Sequence, residues 1–406
     1  MTRKPITVVG AGFSGLTTAY LFTKAGREVR IIEKTARAGG LIHTTRTEHG
    51  LVETAANGIL NSARVEAMYA DIGVPLLPTR ADGRKRFIYR GRPRQLPLNL
   101  ADVLRIPPGL IANAAHLAPR PLETIADWGA RVLGKGATEF LLSPALGGIY
   151  AGDPNRLSAS LIFGRANLPD HLKTYRPQKA KVRGTVAPPN GMQQLIDGLV
   201  DYLRHKDVEI TFSEVMPLNG NDRTVICLSA SAAAEYLSNV TPDLAQELAR
   251  VEMLSLLTAT CFFRKDAATL KGFGCLFPRG QGFRARGVLL NDYIFEGRGP
   301  AHGETWIFGG ALDPNVVSLS DEEITSTILA DRTRFYGTQD NPLAVHIKRW
   351  ANALPHYSVD LEETLTKLPE PPSNIALVGN YLGRIGLAKI FERAAYVVDN
   401  TVKNWD

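Results

Sequence analysis

Gly10-Ala11-Gly12-Phe13-Ser14-Gly15 places three glycines at the first, third and sixth positions of one short run. Side chains are therefore missing where a backbone must turn tightly, approach a diphosphate, and let a helix pack on the strand before it. Glu33 stands 21 residues beyond Gly12. A carboxylate there can accept hydrogen bonds from ribose hydroxyls, and it disfavours a 2′-phosphate. The chemistry these residues imply is dinucleotide binding, with NAD or FAD as the ligand. The positioning elements are legible on both sides. Residues 6–9 are a short apolar, β-branched run that predicts a buried strand. Leu16, Ala19, Tyr20 and Thr23 recur at helical spacing, so the glycine loop opens a helix whose first amides face the phosphates. Gly26 ends that helix, and residues 28–32 form the next strand with Glu33 at its tip.

Arg37-Ala38-Gly39-Gly40 follows at once. This E-x5-GG pattern resembles the second phosphate-contacting turn of the large flavoprotein oxidase families, which selects FAD. Lys34 and Leu41 flank that turn and join the expected cofactor contacts.

The chain has 406 residues, enough for two or three lobes. A hydrophobic content of 44% and a charged content of 21% describe a globular protein. Cys227, Cys261 and Cys275 lie far apart, with no metal-binding or CxxC spacing. They read as buried free thiols in a reducing compartment. No apolar run reaches membrane-spanning length, and the first strand leaves no room for a leader. The expectation is a cytoplasmic protein. The net charge of +7 is concentrated at Arg80, Arg84, Lys85, Arg86, Arg90, Arg92 and Arg94, just before the apolar, proline-broken segment 96–122. This stretch fits an anionic inner-membrane face touched peripherally, an acidic substrate, or a solvated loop. Nucleic acid is excluded as a partner, since nothing resembles a recognition helix or a stacking platform.

The nucleotide unit is rebuilt from distant segments. Met192, Leu195, Ile196, Leu199, Val200 and Leu203 trace a helical apolar face, and residues 208–212 follow as a strand. Residues 213–215 and 224–228 continue a β-rich section, and residues 375–378 run into a glycine turn and a helix. The predicted fold is α/β: a Rossmann-type FAD-binding domain from residues 1–80, 186–235 and 341–406. It is interleaved with a helical substrate lobe (81–185) carrying the membrane-type patch and a β-rich, α+β substrate region (236–340).

"SPALGGIYAGDPNRLSASLIFG" (143–164) is similar to the GxYAGDxxxLS signature of the protoporphyrinogen and coproporphyrinogen oxidase family, within the monoamine-oxidase-like flavoproteins. "RFIYRGRPRQLP" (86–97), "NGMQQLIDGL" (190–199), "KGFGCLFP" (271–278), "TWIFGG" (305–310), "RWANALPHY" (349–357) and "VGNYLGRIGLAKI" (378–390) follow in the family's order, nearly end to end. The resemblance implies a six-electron oxidation of a porphyrinogen by non-covalent FAD, reoxidised by O2. No side chain takes a catalytic role, since flavin N5 accepts hydride. It implies substrate contacts at Arg86, facing a propionate, at Gly148, Ile149 and Tyr150 along the cavity, and at Leu276 and Ile307 beside the ring. Cofactor contacts are implied at Asn57, Gly58, Val215, Trp350, Gly379, Asn380, Gly386 and Leu387, besides the glycine loop. For Arg86, Leu276, Ile307 and Trp350 the residues alone fit a surface cation and plain core side chains equally well.

Two departures stand out. Glu53 is followed by Thr54-Ala55-Ala56 where the family has Gly-Pro, and Arg384 and Lys389 replace a glycine and an acid in the last motif. Other expectations stay open: oxidation or desaturation of another flat acidic substrate, amine oxidation, or an inactive flavin- and porphyrin-binding protein. A homodimer is open as well.

Overall fold

The computed structural model describes residues 5–113, 116–219, 221–267 and 269–405. Ala114 and Ala115 of the apolar segment 96–122, and residues 1–4 and 406 at the ends of the first and last expected FAD-binding pieces, lie outside the described residues.

A five-stranded, all-parallel sheet carries the N-terminal motif. Its order is Glu209–Phe212, Val29–Glu33, Ile6–Val9, Thr224–Ile226, Ile375–Leu377, with the first strand of the chain at the centre. Central strands of a parallel sheet are covered on both faces, which is why residues 6–9 read as a continuous apolar run and are all buried. Three helices supply the cover. Phe13–Lys24 contributes Leu16, Ala19 and Tyr20, and Leu387–Asn404 contributes Ala388, Phe391, Ala394 and Val398. Met192–Arg204 buries all six residues of its predicted apolar face in the same core.

The second sheet has seven strands in the order Ala344–Pro355, Met253–Phe263, His302–Gly309, Gly287–Leu290, Gly274–Leu276, Arg86–Tyr89, Pro93–Arg94. One face is a cross-strand row of Phe87, Cys275, Val288, Trp306 and Ala259, all buried against Ile324, Ile328 and Phe335 of the helix Asp321–Tyr336. Alternation with period two sends the neighbouring residues to the other face. Membership of this sheet differs from the sequence reading at both ends. Residues 86–94, grouped with the helical lobe, and 344–355, grouped with the last FAD-binding piece, are strands of this sheet. The reason is non-local: Arg86–Tyr89 makes a local hairpin with Pro93–Arg94, but joins the large sheet only through Gly274–Leu276, far along the chain.

Within this region His302 and Glu304 are fully buried and Arg332 is 1% exposed. His302 Nδ1 lies 2.7 Å from Asp292 and Nε2 3.2 Å from Glu304, and Arg332 Nε donates to the same Glu304 carboxylate.

A third core joins the signature segment 143–164 to the helix pair Ala230–Leu237 and Pro242–Ala249 and to the helix Val359–Thr366. The three cysteines are free and buried. Among the described residues no helix is long and apolar enough to cross a membrane.

Candidate functional site

Each glycine of the first motif has its own steric reason. A Cβ on Gly15 would stand 1.8 Å from the Gly10 carbonyl oxygen, so the helix approaches the strand only without it. Gly10 has φ +101° and its Cβ would lie 2.8 Å from the Cys227 carbonyl oxygen. Gly12 is different: a Cβ there would meet only the Gly40 Cα at 3.9 Å. Gly12 and the Gly39–Gly40 turn thus face each other as bare backbone, joined by a bridge between Gly12 and Gly39 and by the Gly39 N–H donating to the Ala11 carbonyl at 2.8 Å. Phe13 and Ser14 open the helix, and Phe13 sits edge-on to Phe391 of the last helix.

Glu33 is 9% exposed at the end of its strand. It accepts from the Ala11 N–H at 2.7 Å and from the Thr35 N–H and hydroxyl at 2.9 and 2.7 Å. One carboxylate therefore holds the glycine loop and the following turn together, a role the spacing alone did not show. Lys34 and Leu41 are exposed beside it. Val215 is 72% exposed, one residue beyond Glu214, whose N–H donates to the Glu33 carbonyl.

Helix termini differ in how their first N–H groups are satisfied; Met192–Arg204 also begins at a glycine, but its Met192 and Gln193 N–H groups donate to Glu53 and to the Thr44 hydroxyl. The helices beginning at Ala63, Ile125, Ala159, Ala230, Asp321 and Val359 have a Ser or Thr side chain accepting from a first-turn N–H. Phe13–Lys24 and Leu387–Asn404 begin instead at Gly12 and Gly386, with no side-chain cap and no acid in the first turn. Unsatisfied N–H groups with a positive dipole end are what an anion or a polarised carbonyl requires. A dinucleotide fits this double, glycine-started cradle.

The turn after Glu53 lies between these parts. Glu53 is buried, accepts from the Thr44 hydroxyl at 2.7 Å and the Met192 N–H at 2.9 Å, and lies 3.4 Å from Arg298. Burial outweighs these partners and raises its pKa above the ordinary carboxylate value. The Thr54 carbonyl accepts from the Trp350 indole N–H at 2.8 Å and from the Thr258 hydroxyl at 3.0 Å. Trp350 thus ties the large sheet to the turn leading to Asn57 and Gly58. Gly58 has no room for a side chain, with the Thr185 methyl at 2.8 Å from a Cβ position. Gly379 is buried, and the Asn380 carbonyl accepts from the Tyr357 hydroxyl. Gly386, with φ +90° and nothing within 4 Å of a Cβ, and Leu387 start the last helix.

The candidate substrate residues converge through strand register. Ile88 pairs with Leu276, Leu276 with Gly287, Gly287 with Ile307, and Ile307 with Thr258, the residue bound to Thr54. Paired residues share a face, so an apolar row with a gap at Gly287 runs across four strands to the Thr54 turn. Gly148 presses on this row: a Cβ there would be 2.6 Å from Leu276. Ile149 is 58% exposed, and Tyr150 is buried with its ring 5.0 Å from that of Tyr357. Arg86 occupies the next register position on the Ile88 face, pairs with Gly274, and stacks 4.1 Å over Phe273. It has no carboxylate partner among the described residues, and partial burial lowers its pKa below the usual arginine value.

Sequence reading missed Ile88, Gly287 and Arg286. Arg286 donates to the carbonyls of Gly147, Gly152 and Gly309 at 3.0–3.3 Å and so fixes the signature helix Ser143–Tyr150 against the sheet. Burial pushes its pKa down to about 10. It lines a cavity of about 700 Å³ with Gly147, Gly148, Phe277 and Phe283. Of the expected substrate residues only Gly148 lines that cavity; Arg86, Leu276 and Ile307 lie on the strands beside it, and Ile149 and Tyr150 lie on the signature helix outside the row. The LSAS part of the signature is structural: Ser158 and Ser160 both donate to the buried Glu362 carboxylate, and Ser158 also caps the helix Ala159–Ile162.

The profile of flavin-containing amine oxidoreductases matches residues 13–386. Protoporphyrinogen oxidase 2, chloroplastic/mitochondrial, of Arabidopsis thaliana is 24% identical over 468 residues, covering 96% of this chain and 92% of that protein. Coproporphyrinogen III oxidase of Mycobacterium tuberculosis is 23% identical over 448 residues, covering 100% and 99%. Among solved structures, a protein of Exiguobacterium sp. 255-15 described as a candidate protoporphyrinogen oxidase superposes with a TM-score of 0.77 at 20% identity, covering 98% and 99%. Cyclohexylamine oxidase of Brevibacterium oxydans does so at 0.71 and 15%, covering 98% and 99%, which shows a shared fold alone. With a family match across nearly its whole length and a cradle shaped for a dinucleotide, this chain belongs to the flavin-containing amine oxidoreductases and is a flavoprotein enzyme.

Proposed function

We propose that this protein oxidises a porphyrinogen, protoporphyrinogen IX or coproporphyrinogen III, to the porphyrin. Six electrons and six protons leave in three two-electron steps, and three O2 become three hydrogen peroxide. A bound FAD, held without a covalent link, supplies the two-electron acceptor. Gly10, Gly12, Gly15, Gly39 and Gly40 hold its diphosphate, Glu33 its ribose, and Val215 the adenine end. Trp350, Gly58, Gly379, Gly386 and Leu387 enclose the flavin end. What the chain itself does for the substrate is bind, orient and exclude water. Ile88, Leu276 and Ile307 offer a flat apolar floor, Gly148 lets backbone come close to it, and Arg86 holds a propionate in its fork.

The observation that carries this reading is Arg86: a guanidinium without a carboxylate partner among the described residues, beside an apolar row that ends at the Thr54 turn. Arg86→Ala should raise KM for a porphyrinogen and leave flavin content unchanged. A charge-assisted pair, discounted for solvent screening, is worth about 1–2 kcal/mol in kcat/KM. Arg86→Lys should recover only part of that loss, because a point charge does not reproduce the fork. Unchanged KM for protoporphyrinogen and coproporphyrinogen alike, followed by porphyrin fluorescence, would refute the assignment. Absence of turnover with either, together with turnover of an amine or another flat acid, would replace the reading.

The same reading includes peripheral contact with an anionic membrane. Leu96, Leu100, Leu104 and Ile111 are 62–76% exposed beside the exposed Arg84, Arg92, Arg94 and Arg105. Arg90 is spent otherwise, on Asp102 at 2.6 Å and on the Phe140 ring.

A further inference from the structure

Residues 295–301 connect the helix Asn291–Ile294 to the strand His302–Gly309, which carries Ile307 of the apolar row. They dock on the strand Leu51–Glu53 and on the turn beyond it. The Arg298 carbonyl accepts from the Leu51 N–H at 2.8 Å, and the Ala301 N–H donates to the His49 carbonyl at 3.2 Å. The approach is close: a Cβ on Gly50 would stand 2.5 Å from the Arg298 carbonyl oxygen, and one on Gly299 2.4 Å from the Gly50 Cα. Ala301 is also buried with Val52 and Phe262 in a small core of their own.

Two side chains of this loop take hold of the turn at its two ends. At the start, Arg298 Nη1 lies 3.4 Å from the Glu53 carboxylate, with both side chains buried. At the far end the Phe295 ring closes on Gly58, where a Cβ would be 3.1 Å from it. The Arg298 guanidinium lies 4.8 Å over that same ring, so the two side chains form one unit. Between the held ends Ala55 is exposed. Stability does not account for a guanidinium in this place. Its Nη2 is buried with no hydrogen-bond partner among the described residues, and its contact with Glu53 is long. Glu53 already accepts from the Thr44 hydroxyl and the Met192 N–H without it. Apolar residues of similar volume often match or better such a buried pair.

We propose that Arg298 is a positioning residue of the flavin site: by holding Glu53 while Phe295 stops Gly58, it fixes the turn between them against the cofactor. It acts through Glu53 and not on cofactor or substrate itself. Because the loop runs straight into the strand that carries Ile307, the substrate floor and the turn are set by one rigid connection. The proposal rests on the placement of Gly58 and its turn at the flavin end, and it is independent of which substrate is oxidised.

The test titrates apoprotein with FAD, following flavin fluorescence, and records the visible circular dichroism of the loaded protein. Glu53→Gln combined with Arg298→Met removes both charges at once, so the apoprotein Tm should stay within about 3 °C of wild type. The FAD Kd should nevertheless rise about tenfold, and the visible dichroism should change. Arg298→Met alone leaves a buried carboxylate without its counter-charge and should lower the Tm as well. Arg298→Lys keeps the charge and should recover part of the FAD affinity. Unchanged Kd and dichroism in the double variant overturn the proposal. So does a double variant that fails to fold, or a loss of affinity that tracks the loss of Tm in every variant, since either makes the pair purely structural. Thr258→Val removes the hydroxyl donor to the Thr54 carbonyl and separates the two claims. If it alters the flavin dichroism and the double variant does not, the turn is at the flavin and only the role of Arg298 fails. If neither alters it, the placement of the turn fails and the proposal falls with it.

Discussion

Replacing Glu33 by alanine separates a cofactor role from a structural one. The carboxylate takes the Ala11 N–H at 2.7 Å, and Ala11 is fully buried. Removing the acceptor orphans that donor where water does not reach, at a cost of about 1–3 kcal/mol. Thr35 is exposed, so water replaces the acceptor for its N–H and hydroxyl, and their loss adds about 0.5–1 kcal/mol. The apoprotein should lose about 1.5–4 kcal/mol in all. Unfolding entropy of about 2.1 cal/mol/K per residue gives about 0.85 kcal/mol/K for 406 residues, so the apoprotein Tm should fall by roughly 2–5 °C. Loss of the ribose hydrogen bonds, each about 1.5–3 kcal/mol, should weaken FAD about tenfold or more beyond that. Thermal unfolding of apoprotein and reconstituted protein, with the FAD Kd from quenching of flavin fluorescence, measures both effects. The chromophore released from wild type by denaturation should have the mass of FAD. Full occupancy and an unchanged Kd in the variant would remove Glu33 from the site. A weakened Kd with an unchanged apoprotein Tm would instead show that the Ala11 contact does not hold the loop.

Two further outcomes are expected. Burial opposes a charge on His302, but hydrogen bonds to Asp292 and Glu304 overcome it and raise its pKa to about 9 from an ordinary 6.5. A raised folded-state pKa stabilises below 6.5 and is lost as pH climbs through 9, a change of about 3 kcal/mol across that window. The urea midpoint should fall between pH 6.5 and 9.5 in wild type, and an equal fall in His302→Gln would sink this account. The protein should also co-sediment with vesicles rich in phosphatidylglycerol, with each nearby arginine contributing about 1 kcal/mol. Leu100→Ser with Leu104→Ser should release it, whereas equal binding to neutral vesicles, or retention of the double variant, counts against membrane contact.

What the amino-acid sequence determined by itself was whatever depends on neighbours within a turn or two. The GxGxxG loop and the helix it opens were readable because Gly15 must clear Gly10, a contact five residues away in the chain. The six apolar residues of 192–203 were readable because helical periodicity puts them on one face whatever they pack against. Tertiary structure alone decided the rest. Leu276 and Ile307 could have been plain core until the register joined them through Gly287 to Ile88 and led the row to Thr258. Nothing local marks Arg286 as the residue that pins Gly147, Gly152 and Gly309, or Trp350 as the donor to Thr54. Strand pairing and side-chain meetings of this kind are set by long-range closure of the chain, and no short window of sequence contains both partners.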